Sequence, residues 1–288
     1  MAFLTVRHAT VYRYSEPVGL GEHRMMFRPR ESHDLRLIRT SLAIMPEPVQ
    51  LRWLHDPFDN SVAVAAFEGT TCELRFESTV TLEHFESTVP EYPVEDSAKT
   101  YPFRYSDEDF CNLGRGLTNI YPTAHTSAWA LQFLDPDTST ATMKILRSMT
   151  RGIREQFTYA RRVEKGVQSP EETLRSRSGS CRDFAVLMME AARSLGIATR
   201  FVSGYIYVPV DTDGVGGGNT HAWIQAYLPG AGWIDFDPTN SIVGNRNLIR
   251  VGMAWTPDQV MPLCGTYEGS VDAFAGMDVS VTVTQVAG

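Results

Sequence analysis

Apolar and polar positions alternate along much of the first 85 residues. Between residues 71 and 82, Cys72, Leu74 and Phe76 are separated by charged side chains, which is the period of a β-strand with one buried face. Similar segments recur between stretches rich in Pro, Gly, Asp and Asn, and the predicted strands are 3–14, 22–27, 35–45, 50–54, 61–67 and 72–82. Several short strands at this spacing predict a small antiparallel β-sandwich over residues 1–85.

A Pro-rich connector follows at residues 86–105, and we interpret it as a domain boundary. Apolar residues then recur at helical spacing. The predicted helices are a short one capped by Ser106, one over 126–134, one over 138–157, one after Ser169 that ends near Arg177, and one over 181–195. Alternation returns later, and the predicted strands are 197–209, 221–228 and 233–238. These patterns predict an α+β chain with a catalytic domain at 106–262 and an extension at 263–288, whose own strand returns to one of the sheets.

The stretch Ser178–Ala185 combines a tight turn with the start of an apolar helix. Ser180 is the predicted N-cap, and Asp183 occupies the third helical position, as in a capping box. Cys181 is therefore predicted at the first helical residue, where unpaired amide groups and the helix dipole favour a thiolate. The alternative is a buried structural cysteine, because free cysteines are among the most buried residues.

The predicted strands at 221–228 and 233–238 form a hairpin through the turn at residues 229–232. Pairing Tyr227 with Trp233 places His221 diagonally across from Asp237 on one face, within reach of a carboxylate–imidazole hydrogen bond. A slip of one residue separates these two side chains and also exposes the apolar residues of the return strand. The hydrophobic pattern therefore favours a His–Asp pair.

Composition excludes several other classes of protein. The net charge of −8 and the lack of a Lys/Arg stripe argue against a nucleic-acid partner. No segment approaches membrane-spanning length, and the first residues do not resemble a secretion signal, so we expect a cytoplasmic protein with no membrane partner. The four cysteines are scattered without a CxxC pair, which predicts neither a disulfide framework nor a zinc ribbon. We expect no metal or cofactor.

Cys181, His221 and Asp237 supply the parts of thiol acyl chemistry. The cysteine attacks a carbonyl carbon, the histidine moves the proton, and the aspartate orients the imidazole as the third member of a triad. The backbone N–H of Cys181 is a natural donor to the oxyanion that forms.

The motifs around these residues resemble the bacterial transglutaminase-like proteins of the papain-like thiol hydrolase and acyltransferase superfamily. The stretches that carry the resemblance are 177–185, 196–205, 221–223, 232–233 and 236–240. The resemblance extends over the whole chain and implies Cys181, His221 and Asp237 as the triad, with the cysteine helix packed on an antiparallel sheet. Many relatives have a basic residue where this chain has Met253. This difference affects the residues that surround the site and not the implied triad itself.

Other residues near the triad carry open alternatives. Asp183 is predicted to brace the helix start rather than act as an acid. Tyr159 lines the pocket or packs in the core, and Trp223, like Trp233, walls a substrate groove or packs across strands. The Gly-rich tract at 211–219 forms a rim over the site or an ordinary hairpin loop.

Three functions follow from this site. We expect a thiol peptidase or amidase that forms an acyl-enzyme with a peptide or amide substrate and water as acceptor. The alternatives are protein-glutamine cross-linking, in which a lysine amine takes the acyl group, and a non-catalytic scaffold that retains the fold. The oligomeric state is not predicted.

Overall fold

The computed structural model describes residues 2–85, 91–162, 166–209 and 220–286. In these ranges the strands are β1 (Ala2–Met25), β2 (Leu35–Met45), β3 (Gln50–His55), β4 (Ser61–Ala66), β5 (Thr70–His84), β6 (Thr100–Tyr101), β7 (Thr140–Ala141), β8 (Thr158–Tyr159), β9 (Ser178–Gly179), β10 (Thr199–Ile206), β11 (His221–Leu228), β12 (Gly232–Asp237), β13 (Ile242–Val243), β14 (Leu248–Ala254), β15 (Leu263–Glu268) and β16 (Phe274–Val286). The α-helices are α1 (Asp107–Leu113), α2 (Ala124–Leu131), α3 (Thr142–Gln156), α4 (Pro170–Ser176) and α5 (Cys181–Ser194). Every helix in the described ranges is too short or too polar to cross a bilayer.

The first sheet is organised around β1, which runs without a break for 24 residues. The prediction of two strands separated by a turn at residues 15–17 was wrong. The pairing of β1 with β5 shifts register between Arg13 and Val18, and such an irregularity accommodates Pro17, which has no N–H to donate to a ladder. The strand therefore bends through the proline instead of ending there.

The bend makes β1 a member of both halves of one curled sheet. Its first half pairs with β5 and β16, and its last residues pair with β4 and β15. Within the described residues this gives seven antiparallel strands, five of them in the order β2-β5-β1-β4-β3. Side chains such as Val18, Met25 and Phe76 fill a core between the halves. The C-terminal strands β15 and β16 therefore complete the N-terminal sheet.

The second sheet has the order β13-β12-β11-β10-β14, and all its neighbours are antiparallel. Ala222, Ile224 and Ala226 on β11 share the main core with apolar residues of α5, including Phe184 and Leu187. This packing of the cysteine-bearing helix on an antiparallel sheet confirms the predicted fold class.

Buried polar side chains join the two sheets. Asn60 donates to the backbone oxygen of Met253 (3.0 Å) and accepts from its N–H (2.9 Å). His8 on β1 hydrogen-bonds the hydroxyl group of Tyr205 on β10 at 3.0 Å. Buried polar groups need such partners to offset the loss of hydration, so these contacts specify how the sheets dock. The predicted domain boundaries remain predictions, and residues 86–90 of the connector lie outside the described ranges.

Candidate active site

The site is built around the first turn of α5. Ser180 is the N-cap, and its N–H and hydroxyl group both donate to Oδ2 of Asp183, each at 2.8 Å. This is the predicted capping box with aspartate in place of glutamate. Cys181 consequently begins the helix, with 7 % of its surface exposed.

Asp183 is fully buried and uses both carboxylate oxygens. Besides the two bonds from Ser180, its Oδ1 accepts from Arg162 Nη1 (2.8 Å) and from the backbone N–H of Gln168 (2.7 Å). A Cβ added at Gly179 lies only 2.9 Å from the Asp183 Cβ, so glycine is what the close approach requires. Asp183 thus ties the cysteine turn to the preceding segment, in agreement with a bracing role.

The β11–β12 hairpin has the predicted register, with Tyr227 opposite Trp233. It brings His221 Nε2 to 2.8 Å from Asp237 Oδ2, with both side chains fully buried. Asp237 also accepts from the Thr239 N–H at 2.9 Å and from Asn240 Nδ2 at 2.8 Å. These bonds orient the carboxylate toward the imidazole.

The electrostatic environment of His221 favours the imidazolium. Burial alone lowers the pKa of a histidine, but the charge and hydrogen bond of Asp237, together with the adjacent Cys181 side chain, raise the pKa of His221 well above its usual value. The bond to Asp237 occupies Nε2, and Nδ1 makes no hydrogen bond of normal geometry within the described residues. Nδ1 is therefore the nitrogen left for exchange with the thiol.

Tyr159 lies beside the cysteine turn. The short strands β8 and β9 pair in parallel, with Tyr159 opposite Gly179, and the Tyr159 ring packs edge-on against Phe184 with centroids 6.5 Å apart. Burial first, and then the nearby Cys181, raise the pKa of Tyr159 to about 12. The hydroxyl group therefore stays protonated near neutral pH.

Trp223 occupies a different place from the groove wall considered from the sequence. It is fully buried, and its ring stacks on the His221 imidazole with centroids 5.8 Å apart and planes 29° apart. Trp233 is half-buried and lies under the guanidinium of Arg200. The Gly-rich tract at 211–219 lies outside the described residues.

Sequence reasoning did not single out several charged partners of this site. Asp235 accepts from the Trp223 indole N–H at 2.7 Å, and Arg250 and Asp34 lie behind it. No local pattern identifies such residues, because they are distant in sequence and their partners are brought together only by the docked sheets. Asn240 was signalled only as the end of the motif at 236–240. At the position where the sequence departs from its relatives, Met253 packs in a small apolar cluster with Trp223.

Comparison with known families agrees with this geometry. Residues 4–83 match the model of the bacterial transglutaminase-like N-terminal region, and residues 127–238 match that of the transglutaminase-like superfamily. Residues 127–238 thus belong to the transglutaminase-like superfamily. The second match contains Cys181, His221 and Asp237.

Similar proteins come from several bacteria. An uncharacterized protein of Mycobacterium leprae is 34% identical over 148 residues, which are 50% of this chain and 51% of that protein. The transglutaminase-like chain thus spans about half the length of this relative. A protein-glutamine gamma-glutamyltransferase of Pseudomonas aeruginosa is 33% identical over 75 residues, 25% of this chain and 11% of that one. A solved structure from Cytophaga hutchinsonii, called a "Putative Cysteine Protease", superposes with a TM-score of 0.71 at 18% identity, over 100% of this chain and 92% of that one, and it shares the fold.

Proposed function

We propose that this transglutaminase-like protein is a thiol-dependent amide hydrolase, a peptidase or amidase that works through an acyl-enzyme on Cys181. The observation that supports this most is the meeting of three groups: a thiol at a helix start, the adjacent His221, and Asp237 at 2.8 Å from that imidazole. The raised pKa of His221 favours a thiolate–imidazolium pair, which is the reactive form of a cysteine nucleophile.

The reaction divides into two balanced halves. The Cys181 thiolate adds to the carbonyl carbon of an amide, the imidazolium of His221 protonates the amine, and the C–N bond breaks to leave a thioester. His221 then takes a proton from water, which attacks the thioester, and the C–S bond breaks to release the acid and restore the thiolate. Asp237 keeps Nε2 protonated and oriented throughout, and the N–H of Cys181 faces the developing oxyanion.

Transfer of the acyl group to an amine is a second candidate function. The similarity to the gamma-glutamyltransferase of P. aeruginosa, by the activity in that protein's name, favours it. Both reactions need the same three residues and differ only in the nucleophile that opens the thioester. Incubating a diverse peptide library with and without a primary amine separates them, since transfer yields amine adducts and hydrolysis yields free acids.

Alkylation tests the nucleophile without a known substrate. Iodoacetamide reacts with a thiolate rather than a thiol, and the exposed Cys72 and Cys111 serve as reference thiols at pH 6. We expect Cys181 to react first despite its burial, as located by peptide mass spectrometry, and the fast phase to disappear in Cys181→Ala. A Cys72→Ser/Cys111→Ser/Cys264→Ser variant keeps the fast phase. Modification of Cys181 no faster than of Cys72 contradicts the proposal and favours a scaffold role.

A further inference from the structure

The indole ring of Trp223 is the buried neighbour that restricts His221. The rings stack as described above, and both side chains lie inside the protein. A flat ring against the imidazole limits its rotation and excludes water from the bond between His221 and Asp237. Exclusion of water strengthens such a bond because the local dielectric constant is low.

The position of the indole is itself constrained on two sides. Its N–H donates to Asp235 Oδ1 at 2.7 Å. On the next strand, a Cβ added at Gly204 lies 2.8 Å from Trp223 Cη2 and 2.2 Å from the backbone oxygen of Ile249. The ring therefore fills the space above Gly204, and its tilt depends on where Asp235 holds the indole N–H.

Asp235 is in turn held by a residue that bridges to the other sheet. Arg250 Nη1 donates to Asp235 Oδ2 at 3.0 Å, while its Nη2 donates to the two oxygens of Asp34 at 2.5 and 2.6 Å. Asn245 Nδ2 donates to Asp34 Oδ2 at 2.9 Å. Asp34 belongs to the N-terminal region, immediately before β2.

The carboxylates of Asp34 and Asp235 both depend on the Arg250 guanidinium, which lies between them. Burial alone raises the pKa of Asp34, but Arg250, Ser32 and Asn245 outweigh it and lower that pKa to about 2. Asp34 is therefore charged at neutral pH. Removal of one partner from a buried ionic network leaves the others without compensation, so loss of the Asp34 charge alters how Arg250 holds Asp235.

We propose that Asp34, Arg250 and Asp235 are positioning residues that hold Trp223 against His221, so that the N-terminal sheet helps to orient the imidazole of the active site. This inference rests on the proposed function, because it assigns these residues to the same Cys181–His221 pair. We call Asp34, Arg250, Asp235 and Trp223 the positioning chain.

Two conservative substitutions disrupt the positioning chain, one at each of its ends. Asp34→Asn removes a charge with almost no change in size, and Trp223→Phe keeps a ring but removes the N–H. Tyr205→Phe is the matched control, since it removes another buried hydroxyl group between the same two sheets, bonded to His8 and the Phe27 backbone oxygen, and leaves every hydrogen bond of the positioning chain in place. The rate of iodoacetamide modification at Cys181 is measured from pH 5 to pH 9 for the wild type, the three single variants and the double variant that combines the first two.

We expect Asp34→Asn and Trp223→Phe to slow Cys181 modification at pH 6 roughly threefold to tenfold. Their pH profiles are expected to rise at higher pH than that of the wild type, because a misaligned imidazolium stabilises the thiolate less. Tyr205→Phe stays within about twofold of the wild type, even if its unfolding midpoint falls. In the Asp34→Asn/Trp223→Phe double variant, the fold decrease in the Cys181 modification rate is smaller than the product of the two single decreases. The reason is that both substitutions disrupt the same series of contacts.

The possible failures are distinguishable. A wild-type Cys181 no more reactive than Cys72 overturns the proposed function and this inference with it. A reactive Cys181 whose profile is the same in Asp34→Asn, or shifts equally in Tyr205→Phe, overturns the inference alone. If Trp223→Phe does not fold, the indole N–H resonance of Trp223 in Asp34→Asn decides: the wild-type chemical shift contradicts the positioning chain, and a changed one supports it.

Discussion

Two buried histidines, one in each sheet, are in opposite charge states. His8 on β1 hydrogen-bonds neutral hydroxyl groups, those of Tyr205 at 3.0 Å and Thr10 at 3.1 Å, and burial lowers its pKa to about 4. His221 on β11 is buried even more completely, yet Asp237 reverses the effect of burial and raises its pKa. The comparison indicates that burial by itself favours a neutral histidine, and that Asp237 together with the Cys181 side chain reverses this for His221.

The difference extends to the regions around them. Among the buried polar side chains of residues 2–85, Asp34 is the one carboxylate, and the rest are neutral groups or histidines. The core that carries α5 and the second sheet buries Asp183, Asp235 and Asp237, each paired with a donor. Buried charge is costly to maintain, and in the described residues most of it lies in this second core, where Glu190 and Arg193 form a further buried pair.

The largest effect is expected when the charged histidine is removed. In His221→Gln, Cys181 loses the imidazolium that favours its thiolate and becomes an ordinary buried thiol. Its alkylation at pH 6 is expected to fall about 100-fold, because an imidazolium no longer stabilises the thiolate, which is the form that reacts. Stopped-flow alkylation followed by mass spectrometry measures this change, with His33→Gln, an exposed histidine, as the control. A loss below tenfold contradicts a charged His221.

The neutral histidine predicts an effect on stability instead. Because the folded-state pKa of His8 lies near 4 and its unfolded value is 6.5, the unfolded chain takes up a proton first as pH falls. The stability from His8 is therefore present above pH 6.5 and is lost between 6.5 and 4. About 2 kcal/mol disappears between pH 7 and pH 5.

Denaturant unfolding at several pH values measures this loss. His8→Gln, which retains hydrogen-bonding groups for Tyr205 and Thr10, is expected to flatten the curve in that range. Burial also lowers the pKa of His23. Its contribution to the pH dependence of stability therefore has the same sign, and this contribution remains in the His8→Gln variant. A His8→Gln curve parallel to the wild type shows that His8 is not neutral in the folded state.

The smallest effect concerns Asn240, the outer partner of the Asp237 carboxylate. Asn240→Ala removes one donor from Asp237 Oδ2 and leaves the bonds from His221 and Thr239 in place. Loss of this hydrogen bond is expected to destabilise the aligned His221–Asp237 pair by about 1 kcal/mol, which corresponds to a roughly fivefold slower alkylation of Cys181 at pH 6. Asn112→Ala, at an exposed position on α1, is the control. A rate equal to that of the control assigns Asn240 no part in orienting Asp237.

The features that were predicted from the sequence are those with local signals. Ser180 and Asp183 are three residues apart and predict the helix start. The alternation of apolar and polar residues around Tyr227 and Trp233 predicts the hairpin register. The continuity of β1 was missed because Pro17 is typical of turns, and its accommodation depends on the pairing with β5. Contacts such as Arg250 with Asp34, 216 residues apart, leave no periodic pattern, since they arise only when the two sheets dock.

The pairing of β1 with β16 bears on how the chain is synthesised. Phe3 lies opposite Val286 and Tyr14 opposite Phe274, so one edge of β1 is covered by β16, a strand that is made much later. During translation that edge lacks this partner until β16 has been made, and an uncovered strand edge favours pairing with other chains. Expression yield and aggregation are therefore expected to depend on residues 274–286 far more than their distance from the active site implies.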